Sequence, residues 1–372
     1  MHRRTLAALV AAAATLMCAA PAFGVVGQPR TGSAQYDRDA SVVQYGGTTY
    51  LFFARSQQTC NRLTTPVPGL CPDNLDYDLY YKVSSDGGKT FGPATLLDTN
   101  PGPAFFRGRT IAATATADGV HVLWSNGANS IDGRVYHYFA PSGGTAFSAR
   151  QEMTDIPDDV FNAEAVGDGG NLYVYAQEGS QINAYQFAAS GPALTAGGGP
   201  SVVATGKALP KAIKDVNGGF RMTMVDDSNY PTVDVYVDSS ADGLNWPAPE
   251  QLVVSNPGVS NWDPSLVQKP NGQYYLYFAP DAELGAGSQR IALTKSNDFV
   301  TWTEDHELSP GQKAGARYWD YWPEGFVRGN QIVLFYTSER AVNEQGTTYP
   351  TGTGHIWTDP GFGGLDHLGA GA

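Results

Sequence analysis

The chain has 372 residues, with 23 Lys and Arg against 36 Asp and Glu, for a formal net charge of −13. An acidic surface repels phosphate backbones and argues against a nucleic-acid partner, while 42% hydrophobic and only 16% charged residues exclude a disordered chain. With 44 Gly, 20 Tyr and 16 Phe the composition favours many short strands and tight turns over helices.

The chain starts with what reads as a secretory signal over residues 1–24. His2-Arg3-Arg4 is a basic start, Leu6 to Met17 is an apolar run too short to span a bilayer, and Ala22-Phe23-Gly24 offers small residues for cleavage. Its removal leaves residues 25–372 as one secreted domain, expected to be a monomer without membrane attachment. Two cysteines then remain, Cys60 and Cys71, inside a Pro-rich insertion, and an oxidising compartment would join them as a disulfide.

Six units follow, each a charged leader, a β-prone run, a Gly-containing turn and an aromatic-rich strand. The leaders are Asp39, Arg109, Glu164, Lys211, Asp263 and Glu324, at a mean spacing of about 57 residues. Tyr50-Leu51-Phe52-Phe53 and Tyr274-Tyr275-Leu276-Tyr277-Phe278 are typical of the strands. A repeat of this length with several short strands per unit predicts an all-β fold, a β-propeller of six blades with five as the alternative. The Gly354-His355-Ile356-Trp357 strand and the residues after Gly27 are expected to share the last blade and close the ring.

A second motif recurs between the third and fourth strands of the units. Ser84-Ser85-Asp86-Gly87-Gly88-Lys89-Thr90-Phe91 is its full form; Ser240 to Trp246 and Ser296 to Trp302 are shorter relatives, and Ser142 to Phe147 lacks the Asp. Ser and Asp side chains that cap backbone N–H groups, with Gly at positive φ, make these turns architectural.

The Ser84–Phe91 segment resembles the Asp-box of the sialidase superfamily of propellers. The unit from Asp263-Pro264-Ser265-Leu266-Val267 to Tyr275-Leu276-Tyr277, followed by Ser296-x-Asp298, looks more like the arabinanase, xylosidase and fructosidase propellers. In a propeller the starts of the innermost strands meet at one end of the channel. The six leaders would therefore form a ring of four carboxylates and two cations, either a salt-bridged plug or a carbohydrate site whose carboxyls differ in pKa.

Glycoside hydrolysis needs an acid and a base or nucleophile, and the resemblance implies a glycoside hydrolase acting on a polysaccharide or glycan. The arabinanase-like pattern makes Asp39 the base or nucleophile and Glu164 the acid, although their second-blade Asp is Arg109 here. Asp263 with Glu324 is the other pair, with Trp262, Trp319 and Trp322 as stacking faces and Arg38, Arg109 and Lys211 as polar binders. A sialidase reading would use Arg38, Arg109 and Arg317 around a carboxylate, Tyr318 as nucleophile and Asp39 as acid, but Tyr36-Asp37-Arg38-Asp39 stands where an Arg-Ile-Pro signature is expected. A non-catalytic glycan-binding propeller is the third reading. Zinc, dinucleotide, P-loop and Gly-x-Ser-x-Gly signatures are absent from the sequence, so no cofactor is expected beyond a structural Ca²⁺ compatible with the acidic channel.

Overall fold

A computed structural model of the chain describes residues 28–29, 37–57, 77–100, 108–126, 133–247, 249–281, 291–303, 306–307, 320–338 and 355–359. The proposed signal segment and both Cys60 and Cys71 lie outside these residues. The aromatic-rich strand of each of the six units forms the second strand of an antiparallel sheet, and among the described residues there are six such sheets of four strands each. Blade I is Asp37–Tyr45, Thr48–Ser56, Tyr77–Ser84 and Thr95–Asp98. The innermost strands of blades II to VI are Gly108–Ala115, Val160–Asp168, Ala208–Lys214, Ser260–Gln268 and Asp320–Arg328. Each innermost strand packs beside the next, and the sixth returns to the first, which closes the propeller.

Closure is completed by the chain's two ends. Blade VI takes His355–Asp359 as its third strand and Gln28–Pro29 as its fourth, with Gln28 opposite Thr358 and Pro29 opposite Trp357. The shared last blade predicted from sequence is therefore present. It joins segments more than three hundred residues apart and removes an open sheet edge.

Both faces of each blade are covered, which explains why the strands are apolar at consecutive positions instead of alternate ones. Leu51, Phe52, Phe53 and Ala54 are all fully buried. The hairpin that leads into this strand turns at Gly46 and Gly47, with φ of 57° and 82°. The Asp-box turns are built as their sequence implies. Ser84 Oγ accepts the Gly88 N–H at 2.8 Å and donates to Asp86 at 2.7 Å, while Asp86 accepts the Lys89 N–H at 2.9 Å and the Thr90 hydroxyl at 2.6 Å. Ser240 with Asp242 and Ser296 with Asp298 repeat the arrangement. Their terminal aromatics seal blade to blade. Phe91 of blade I meets Phe335 of blade VI, Phe147 of blade II stands edge-on to Phe52 of blade I, and Trp246 of blade IV to Tyr175 of blade III.

Near the axis the blades come very close. A Cβ added at Gly325, in the innermost strand of blade VI, would lie 2.0 Å from Val267 Cγ2 of blade V. Gly325→Ala is accordingly expected to force the two blades apart and to cost about 1–3 kcal/mol of stability. Thermal and urea unfolding check this; a variant as stable as the parent would contradict so tight an approach.

Candidate active site

The site begins with bulges. The pairing of first and second strands slips between Arg38 and Ser41, Ala208 and Lys211, Trp262 and Ser265, and Tyr321 and Glu324, with smaller slips between Gly108 and Thr110 and between Val160 and Asn162. Inside the four larger slips one residue adopts positive φ: Asp39 at 53°, Leu209 at 52°, Asp263 at 53° and Trp322 at 50°. Such backbone is costly outside glycine and collects at functional sites. Proline follows three of these residues (Pro210, Pro264 and Pro323), as suits a position that donates no ladder hydrogen bond.

The bulges correct the register read from sequence. Asp39 and Asp263 occupy the bulge itself, whereas Lys211 and Glu324 are the first paired residues beyond it, equivalent to Ser41 and Ser265. Glu164 lies two residues beyond Asn162, the corresponding residue of blade III. The leaders thus form two layers and not one ring, because each bulge consumes residues that a simple alignment counts as strand.

Both layers line one cavity of about 390 Å³, which gathers Arg38, Asp39, Glu164, Lys211, Trp262, Asp263, Trp322 and Glu324. In the upper layer Arg38 Nε donates to Asp39 Oδ2 at 2.8 Å, with both side chains below a tenth exposed, and its guanidinium lies 3.8 Å from the centre of the Trp322 ring. Burial and the neighbouring Asp39 charge push the Asp263 carboxyl up to about 7; the Arg38 charge and hydrogen bonds from Trp322 pull the other way.

In the lower layer Lys211 Nζ lies 3.0 Å from Glu164 Oε2 and 3.5 Å from Glu324 Oε2. Burial raises Glu164 to about 7, opposed by the Lys211 ammonium and reinforced by the Glu324 charge. Glu324 is raised by burial too, restrained by Lys211 and by the Val42 N–H it accepts. Burial by itself would depress Lys211, but the two carboxylates outweigh it and its pKa is raised. The same three side chains also line a second cavity, of about 440 Å³, further along the axis. They form an ionic partition across the channel.

Of the residues singled out in the sequence, Asp39, Glu164, Asp263, Glu324, Arg38, Lys211, Trp262 and Trp322 converge. Arg109 lies in the bulge strand of blade II but its side chain is outside what is described, as are Trp319, Arg317 and Tyr318. Charge coupling runs from Asp39 to Asp263 and from Glu324 to Glu164, across both of the pairings offered by sequence. Among the polar lining residues, Asn162, Gln177 and Asp227 carried no sequence signal of their own. Gln177 Oε1 accepts from Asn162 at 2.7 Å and from the Leu209 N–H at 3.1 Å, fixing blade III to blade IV, and Asp227 stands exposed at the rim.

Solved structures share this architecture. The sialidase of Trypanosoma rangeli superposes with a TM-score of 0.57 at 12% identity, over 91% of this chain and 56% of that one. Its complex with sialic acid gives 0.56 at 12%, over 90% and 55%. Phage phi92 endosialidase gives 0.56 at 10% identity, over 89% and 68%. The chain therefore has the sialidase-like β-propeller fold, and it spans about half the length of the Trypanosoma sialidase structures it matches. No family model matches the sequence, and no curated protein matches it either.

The ionic partition makes a direct prediction. Lys211→Met leaves two buried carboxylates facing each other without a cation, at an expected cost of about 3–5 kcal/mol near pH 8. Without the ammonium the folded state holds protons on these glutamates more tightly than the unfolded state does. The stability gap to the parent should therefore narrow as the pH falls toward 5. Urea midpoints across that range decide it; a gap that does not change with pH would contradict the partition.

Proposed function

We propose that the chain is a glycoside hydrolase whose chemistry is carried by Asp263 and Asp39, acting on a glycan held in the 390 Å³ cavity. The observation that carries this reading is the contrast between two neighbouring carboxyls. Asp263 has a pKa near 7 through burial and the Asp39 charge, while Asp39 is held against the Arg38 guanidinium. One carboxyl ready to give a proton beside one carrying charge is what glycosidic cleavage requires. The Asp263 carboxyl protonates the glycosidic oxygen as its bond to the anomeric carbon breaks. The Asp39 carboxylate either attacks that carbon or takes a proton from the water that does. The geometry favours this pair over Asp39 with Glu164, because Glu164 is committed to Lys211 in the partition. Trp262 lines the same cavity and offers an aromatic surface for a sugar ring. The basic and apolar character of residues 1–24 supports action outside the cell.

Asp39→Asn and Asp263→Asn are each expected to lower kcat on a cleaved glycan by about 10²–10⁴-fold, with Glu164→Gln milder. Because Asp263 must carry its proton, kcat/KM should fall as the pH rises above about 7. Reducing-sugar release from a polysaccharide panel measures both. Full activity in Asp263→Asn with loss in Glu164→Gln would move the acid to blade III. Binding without any turnover would make the protein a glycan-binding propeller.

A further inference from the structure

The charges around the cavity bear on what kind of sugar can enter it. Five acidic side chains line it, those of Asp39, Glu164, Asp227, Asp263 and Glu324, against two described cations, Arg38 and Lys211, and with the proton on Asp263 the other four still outnumber the cations. Both cations already have fixed anionic partners. Arg38 holds Asp39 at 2.8 Å and covers the Trp322 ring at 3.8 Å, and Lys211 holds Glu164 at 3.0 Å and Glu324 at 3.5 Å. A bidentate salt bridge to a ligand carboxylate needs a guanidinium fork open toward the ligand. Here an incoming anion would have to share Arg38 with Asp39, or Lys211 with two glutamates, in a site already crowded with acidic side chains. Asp227, exposed at the rim, adds repulsion on the way in.

We infer that the cavity selects uncharged glycans and rejects those bearing carboxylate or sulfate groups, sialic acids and uronic acids included. This rests on the reading of the cavity as a glycan site. It also separates this chain's specificity from the fold it shares with sialidases.

The test is an array of uncharged, sialylated, uronate-containing and sulfated glycans probed with the full chain, with reducing-sugar release measured on the same set. The expected result is retention of one or more uncharged glycans, with any acidic counterpart of the best ligand bound at least about tenfold more weakly. Asp227→Lys should raise the ratio of acidic to uncharged binding. Preferential binding or cleavage of an acidic glycan would overturn the inference and leave the hydrolase reading standing. Retention of uncharged glycans without turnover would do the reverse. No retained glycan at all, or a ratio indifferent to Asp227→Lys, would count against the inference.

Discussion

Neighbouring blades are held at the axis by single polar side chains or carbonyls that accept a backbone N–H from the next blade. Ser41 takes the Ala113 N–H, Thr110 the Ala163 N–H, Gln177 the Leu209 N–H, the Val233 carbonyl the Asn261 N–H, and Ser265 the Gly325 N–H. The last joint, from blade VI back to blade I, is made by the Glu324 carboxylate and the Val42 N–H. The circle of joints matters because the innermost strands would otherwise leave buried polar groups unsatisfied where the blades meet. Glu324 belongs to the joints and to the cavity at once. Ring closure and the placement of charge in the channel are therefore one problem for this chain, not two.

The bulges divide that charge. Residues in a bulge are raised above the ladder, so Asp39 and Asp263 project into the open cavity beside Arg38 and Trp322. Residues one step deeper are locked into the wall, and there Lys211 binds Glu164 and Glu324 into a partition between two cavities. Desolvation acts on both layers and raises Asp263 and Glu164 alike, yet their surroundings differ. In the upper layer the neighbour of the raised carboxyl is another carboxylate, which suits proton transfer. In the lower layer the neighbour is an ammonium, which suits cohesion. A salt-bridged plug and a carbohydrate site were competing descriptions of one ring; in the folded chain the plug describes the lower layer alone, and the proposed carboxyl pair belongs to the upper one.

Much of the architecture was legible in the residues. The aromatic strands after Gly-rich turns, the Asp-box turns, and the union of His355–Asp359 with Gln28–Pro29 all follow from local pattern and the need to leave no open edge. Register was not legible, because a bulge changes the count without changing composition. The best clue was the proline after Leu209, Asp263 and Trp322: aligning on it pairs Lys211 and Glu324 with Ser265 and sets Asp263 apart from both, whereas Asp39, followed by Ala40, carries no such mark. Gln177 and Asp227 gave no such clue. Gln177 sits on a second strand and earns its place only through contacts that long-range folding creates.

The coupling between Asp39 and Asp263 is what sets the two carboxyls apart. Carboxyl-stretch infrared titration, with Asp263→Asn used to assign the band, reads this without any substrate. The band of Asp263 should titrate near pH 7 in the parent and at a lower pH in Asp39→Asn, where the neighbouring charge is gone. An Asp263 that titrates near pH 4 in both proteins would contradict the pairing.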